Sequence, residues 1–313
     1  MVRPTVVLLG PQRLHPTLSV AVESLGLRGR IAAVTAGWEE REGEDQELSA
    51  HLQGRTVNLG VYGRTEEVYR SDPELFQAVR ERHDKLRKIQ ELYRIRLGHL
   101  MEAARELMRR QDRPGDAELV EPQVRGAVGA IRALDDEHVE RIRGVHVEFA
   151  SRFRPQERDA VARHRRELQE ILDGCSALCI AGGHVAILLN RLRLFGVIDL
   201  LRDQAIFAWS AGAMVVSERI VVFHDRPPQG AGDPEVLEAG FGAVKGVVAL
   251  PHAERRLRLD DTTRVALFAR RFEPLVCVAL DPRTRVDWRD GRWHGLDGTR
   301  KLTASGELAE VGA

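Results

Sequence analysis

Cysteine is scarce: the 313 residues contain Cys175, Cys179 and Cys277 and no others. An odd count without ligand-type pairing argues against a disulfide framework or a thiolate metal site. It predicts buried free thiols, facing different ways, in a reducing, cytoplasmic compartment. Charge of one sign is also lacking, with 47 basic residues against 47 acidic ones, so nothing in the balance points to nucleic acid or an anionic membrane. No apolar run approaches the length of a membrane span. The apolar stretch behind Met1-Val2-Arg3-Pro4 is too short for a signal peptide and reads as a first strand. That strand runs into Gly10-Pro11-Gln12 and not into a Gly-x-Gly-x-x-Gly turn, so neither a dinucleotide nor any other cofactor is expected.

What is present begins with alternation. Thr5 to Leu9, Arg30 to Ala36 and Thr56 to Tyr62 read as strands, with an apolar-faced helix from Leu18 to Leu25 between the first two. Such a rhythm predicts a parallel sheet with helices on its faces. The pattern resumes at Ala177-Leu178-Cys179-Ile180-Ala181, which runs into Gly182-Gly183-His184. Further strands are expected before Ser210, over Ile220 to Phe223, Val247 to Leu250 and Leu275 to Ala279, with a helix over Thr262 to Arg271. Thr284 to Trp288 and Arg292-Trp293 read as a late hairpin, and His224 to Gly232 as a Pro/Gly-rich loop.

Between these halves the periodicity becomes helical. Ser71-Asp72-Pro73-Glu74 reads as a helix start with Ser71 as cap. Val79, Leu86, Tyr93, Leu100 and Leu107 recur every seven residues, and Arg113-Pro114-Gly115-Asp116 is the expected stop. Val124, Val128, Ile131, His138, Ile142, Val145 and Phe149 mark one face of a second helix, and Val161, His164, Leu168 and Ile171 a third. The division expected is therefore 1–69 and 173–313 as one α/β domain, with a helical hairpin or bundle inserted at 70–172. Pairing of that insertion with a second copy would make a homodimer; a self-contained bundle is the alternative. Its histidines lack the paired Glu-x-x-His spacing of a bundle di-metal site, and no metal is expected.

The stretch Ala205-Ile206-Phe207-Ala208-Trp209-Ser210-Ala211-Gly212-Ala213 carries the chemistry. Apolar residues lead into a serine enclosed by small ones, and Met214-Val215-Val216 follows. A strand, a tight turn and a helix would raise the Ser210 hydroxyl from the sheet. An ordinary N-cap is the other reading of the same residue. A serine nucleophile needs an imidazole base and a carboxylate to orient it. His252, directly after a strand and Pro251, is the candidate base, and Asp281 at the next strand end the candidate orienter, with Glu254 and Asp260 as rivals. Backbone N–H groups of Gly182, Gly183 and Ala211 are placed to form an oxyanion hole. The chain order Ser210, Asp281, His294 also fits an α/β-hydrolase esterase, although no His-Gly-Gly-Gly loop precedes it.

These residues resemble a known family. Ala208-Trp209-Ser210-Ala211-Gly212-Ala213 is similar to the Gly-x-Ser-Ala-Gly-Ala motif of the dipeptidase E and cyanophycinase serine peptidases. Ala181-Gly182-Gly183-His184 resembles their Gly-Gly-Asn or Gly-Gly-Asp turn. Pro251-His252 with Arg255, Arg256, Arg258 and Leu259 resembles their His-x-x-x-Arg-x-Arg-x-x-Arg-Leu segment. The resemblance spans Ala177 to Trp288, extends more loosely to the first strands, and leaves out the helical insertion. Ala208, His184 and Pro282 depart from the family pattern. The resemblance implies a flavodoxin-like, class I glutamine amidotransferase-like fold, Ser210 as nucleophile, His252 as base and Gly182-Gly183 at the oxyanion hole. It also implies a small peptide or amide substrate cleaved near an acidic group; His184, itself a departure, and the arginines after His252, Arg255 first, would suit an anionic substrate. The alternative is a non-catalytic relative that binds a ligand or partner and assembles through its helices.

Overall fold

The computed structural model describes residues 5–111, 117–225, 232–289, 291–296 and 298–311. The expected helix stop at 113–116 and most of the 224–232 loop lie outside the described residues. In chain order the first part runs β1 (Val6–Leu9), α1 (Leu18–Ser24), β2 (Arg30–Val34), α2 (Gln46–His51), β3 (Thr56–Asn58) and α3 (Val61–Ser71). Three long helices follow: α4 (Pro73–Gln111), α5 (Ala117–Phe153) and α6 (Asp159–Asp173). The chain then gives β4 (Cys175–Ile180), α7 (Val185–Phe195), β5 (Ala205–Trp209), α8 (Ala211–Val216), β6 (Arg219–Val222), β7 (Glu235–Ala239) and β8 (Val247–Pro251). It closes with α9 (Ala253–Arg256), α10 (Thr262–Phe272), β9 (Val276–Leu280), β10 (Arg285–Arg289), β11 (Arg292–Leu296), β12 (Arg300–Leu302) and β13 (Leu308–Glu310).

The main sheet has seven strands in the order β11-β10-β1-β5-β4-β2-β3. From β1 to β3 every pairing is parallel; β10 and β11 add an antiparallel edge. Both faces of the parallel strands are covered, which is why they read as continuous apolar runs. One face carries Leu18 and Val22 of α1, Leu48 of α2 and Leu52 directly after it. The other carries residues of α3, α6, α7 and α8. Cys175 and Cys179 point to opposite faces because the register against β2 shifts by one residue between them. All three cysteines are free and buried.

Two expectations about the strands change. The strand expected over Thr56 to Tyr62 stops at Asn58, since Gly60 takes a left-handed conformation that opens α3. The strands β8 and β9 leave the main sheet and pair in parallel within a second, four-stranded sheet of order β13-β12-β9-β8. A third pairing, β6 with β7, is antiparallel.

The long helices leave the sheet and return to it. Ser71 ends α3, its hydroxyl bonded to the Glu67 carbonyl at 2.9 Å, and Asp72 is the cap of α4, accepting from the Leu75 N–H at 3.0 Å. A carboxylate satisfies the free N–H groups of the new helix better than a hydroxyl already committed to the preceding turn. The buried stripe of α5 follows the expected Val124-to-Phe149 face. The buried stripe of α4 does not follow the expected seven-residue seam. It runs through Gln90, Tyr93, Leu97, Met101, Ala104 and Met108, while Leu86, Leu100 and Leu107 stay half-buried. That spacing, with an eleven-residue repeat from Tyr93 to Ala104 and Leu97 to Met108, drifts around the helix in the sense opposite to the left-handed supercoil a seven-residue seam imposes. The cause is that α4 packs on more than α5: its apolar stripe shares one core with α10 and the second sheet. Helix α6 lies back on the main sheet, with Leu168 and Leu172 in the same core as β4 and α7.

A buried network pins the hairpin of α4 and α5 to α10. Arg271 donates to both Asp135 carboxylate oxygens at 2.7 Å, to the Tyr93 hydroxyl at 2.8 Å and to the Pro234 carbonyl at 2.6 Å. Tyr93 in turn donates to Asp135 at 2.8 Å. Both charges in this buried contact are therefore paired and hydrogen-bonded. No helix among the described residues is long and apolar enough to cross a membrane.

Candidate active site

The elbow forms where β5 ends. Trp209 is the last strand residue, Ser210 has φ 52° and ψ −124°, and α8 starts at Ala211. A non-glycine residue at positive φ costs on the order of 1–3 kcal/mol and persists only where its surroundings over-determine it. Here small residues do so. A Cβ on Gly212 would come within 2.1 Å of the Ile180 carbonyl, and one on Gly182 within 2.7 Å of the Ser210 Cβ. The side chain of Ser210 makes no capping bond to α8. Its Oγ lies 3.3 Å from Nε2 of His252 instead.

His252 is brought there from the second sheet. It follows β8, takes φ 58°, donates its N–H to the Leu280 carbonyl at 3.0 Å, and accepts from the N–H groups of Arg255 and Arg256. The chain then passes from β9 in the second sheet to β10 in the main one through the turn Asp281 to Thr284. Thr284 donates its N–H and its hydroxyl to the Asp281 carbonyl, and its own carbonyl accepts from Gly10 at the end of β1. Gly10 has to be glycine, since a Cβ would sit 1.8 Å from the Asp281 oxygen. This turn locks the two sheets together beside the serine.

The Asp281 carboxylate does not meet the imidazole. Its Oδ1 accepts from the Glu254 N–H at 3.0 Å, so it holds the start of α9 and thereby the backbone of His252. Burial raises the Asp281 pKa, opposed by that backbone bond. Glu254 is turned away into an ion pair with Arg300. Among the described residues, no carboxylate is hydrogen-bonded to the His252 ring. His294 lies on β11, three strands from β5, at roughly 14 Å for a strand spacing of about 4.8 Å, which removes it from Ser210.

The electrostatics around the imidazole are positive. Burial lowers the His252 pKa, and the guanidinium groups of Arg256 and then Arg255 lower it further. Both effects favour the neutral form of the ring. Arg256 is half-buried and its own pKa is lowered by burial and by Arg255. Neither arginine is paired with a carboxylate among the described residues. The segment that carries them is braced by buried Asp225, which accepts from the Arg258 N–H at 2.9 Å and from Arg264 and donates its N–H to the Arg256 carbonyl.

Gly182 and Gly183 sit across from the elbow. The Gly182 Cβ position is 3.5 Å from the Ala211 nitrogen, and Gly183, at φ +111°, presses on Gly37 after β2. The sequence does not single out Gly37: its signal, one glycine three residues past a short apolar strand, is common in turns. His184 caps α7, its Nδ1 accepting from the Ile187 N–H at 3.3 Å, and is exposed. Among the described residues, no hydrogen bond joins its ring to Ser210 or His252. The first N–H groups of α8 have no acceptor within their helix, as at any helix start.

No protein-family model matches the chain, and no curated protein matches it. Among solved structures, the chain is similar to a peptidase from an acI-B1 actinobacterium, 12% identical, with 99% of this chain and 98% of that chain covered and a TM-score of 0.48. It is also similar to a candidate peptidase E protein from Listeria monocytogenes EGD-e, 15% identical, with 42% of this chain and 64% of that one covered and a TM-score of 0.31. Both scores fall below the level at which a shared fold is assigned.

Proposed function

We propose that the chain is a serine hydrolase of the peptidase or amidase type, in which Ser210 and His252 act as a nucleophile–base pair. The observation that carries this reading is the Ser210 elbow at φ 52° with its Oγ 3.3 Å from Nε2 of His252. Strain of this kind is concentrated at functional sites. The order of the parallel strands, with Ser210, the glycine turn and the Gly10 turn at their carboxyl ends, supports the class I glutamine amidotransferase-like form of the fold.

In the reaction so proposed, His252 Nε2 takes the Ser210 proton as Oγ attacks the substrate carbonyl carbon. The oxyanion that forms is met by N–H groups of Ala211 and of the Gly182-Gly183 turn. The imidazolium returns the proton to the leaving amine, and water then releases the acyl group by the same route in reverse. Asp281 serves as a positioning residue, through the α9 backbone, and not as the group that holds the ring. The unpaired Arg255 and Arg256 give the site its preference for a substrate with an acidic group, since a carboxylate would match their uncompensated charge. His184 reaches the same substrate only from the rim.

A fluorophosphonate probe tests the reading. The intact protein is expected to gain the mass of one adduct, and Ser210→Ala and His252→Ala to gain none. Labelling that persists in Ser210→Ala, or its absence from the intact protein, removes the proposal. In that case a second reading takes over, a non-catalytic binding protein assembled through its helices. The observation in its favour is an imidazole with no carboxylate partner.

A further inference from the structure

We propose that a second, separate site on this chain binds a small organic carboxylate, in the cavity where the C-terminal half of α7 meets α4 and α5. The cavity measures about 300 Å³, at the small end of the range for ligand pockets. Val79, Phe149 and Leu194 form its apolar wall, and the polar side is made by Arg82, Asn190, His146 and Arg193.

The charges there do not balance. Arg193 is paired with Glu238 at 2.7 Å, and His146 meets the same carboxylate at 3.1 Å. Burial, chiefly, holds the His146 pKa below the usual histidine range, and the arginine bridged to Glu238 is Arg193. At the rim, Arg154 and Glu157 offset each other at 3.6 Å. Arg82 is left over. Its guanidinium lies 4.2 Å from the centre of the Phe149 ring, and one Nη donates to the Asn190 side-chain oxygen at 3.1 Å. Its Nε–H is buried without a partner, as is Nδ1 of His146. Burial, then the charge of Arg193, brings the Arg82 pKa down to about 10.

A cation withdrawn from water with an unused donor is costly, and an incoming anion relieves that cost. A carboxylate suits the planar edge of a guanidinium, and the apolar wall suits a hydrocarbon body attached to it. The site is not an extension of the Ser210 crevice. His184 caps α7 at the serine end, whereas Arg193 lies nine residues on, roughly 13 Å at 1.5 Å per residue.

The test uses 2-naphthoate and the full chain, with binding read by calorimetry. One saturable site is expected, with a Kd of about 1 mM or tighter for a ligand of this size. The neutral 2-naphthamide is expected to bind at least about tenfold more weakly. Arg82→Gln should lose the site. Asn190→Asp should lose it too, because an aspartate 3.1 Å from Arg82 supplies the missing charge internally, and its melting temperature should be unchanged or higher. Arg256→Gln should retain binding, which separates this site from the one at Ser210. No saturable binding by the intact protein, binding that survives Asn190→Asp, equal binding of the amide, or loss with Arg256→Gln would each overturn the proposal.

Discussion

At the scale of single residues, the role of Asp281 is the sharpest point of difference between motif and structure. A carboxylate that orients an imidazole cannot be replaced by an amide without trapping the wrong tautomer, a loss on the order of 10⁴ in rate. Asp281 instead accepts one backbone N–H, from Glu254. Asp281→Asn keeps an oxygen acceptor there and is expected to leave the fluorophosphonate labelling rate within about threefold of the wild type. Asp281→Ala removes the acceptor and should slow labelling by about 10–100-fold as the His252 turn loosens. The arginines supply a second test. Because Arg256 and Arg255 disfavour the imidazolium, Arg256→Gln lets the His252 pKa rise toward its ordinary value. The base is active only when neutral, so the acid limb of the labelling-rate profile should move to higher pH in this variant. An unmoved limb would show that the titrating group is not His252.

At the scale of elements, the hairpin of α4 and α5 is held to α10 by the ion pair of Arg271 with Asp135, in which both side chains are 1% exposed or less. Removing one partner leaves the other charge buried and unpaired. Arg271→Leu or Asp135→Leu is expected to cost about 3–5 kcal/mol in urea unfolding. The combination Asp135→Leu with Arg271→Met should cost less than either single change, because no lone charge remains. Similar losses in all three variants would mean that the hydrogen bonds to Tyr93 and Pro234, and not the charges, dominate.

At the scale of the whole molecule, the hairpin presents apolar residues to solvent. Leu92 and Ile95, one turn apart on α4, are 59% and 63% exposed, and Leu119 on α5 is 75% exposed. The homodimer expected from the helical periodicity would place these residues in its contact with a second copy of the chain. Light scattering is expected to give a dimer mass for the wild type and a monomer mass for Leu92→Glu with Ile95→Glu. A monomeric wild type would leave the hairpin as a feature internal to the fold, consistent with the core it already shares with α10 and the second sheet.

The sequence by itself determined what depends on a few neighbouring residues. The strand–turn–helix around Ser210 is of this kind: apolar residues before it and small residues around it admit few other local conformations. So is the buried face of α5, because the periodicity of an amphipathic helix is written in its own side chains. The tertiary structure decided what depends on partners distant in the chain. Ser71 gave way to Asp72 as a cap once α3 ran on to meet it. The stripe of α4 shifted because α10 and the second sheet share its core. The carboxylate of Asp281 went to a backbone N–H, since the turn that joins the two sheets points it at α9. The unmatched charge of Arg82 exists only where α4, α5 and α7 enclose it. Hydrogen-bond partners and charge balance are properties of packing, and the local pattern of residues does not contain them.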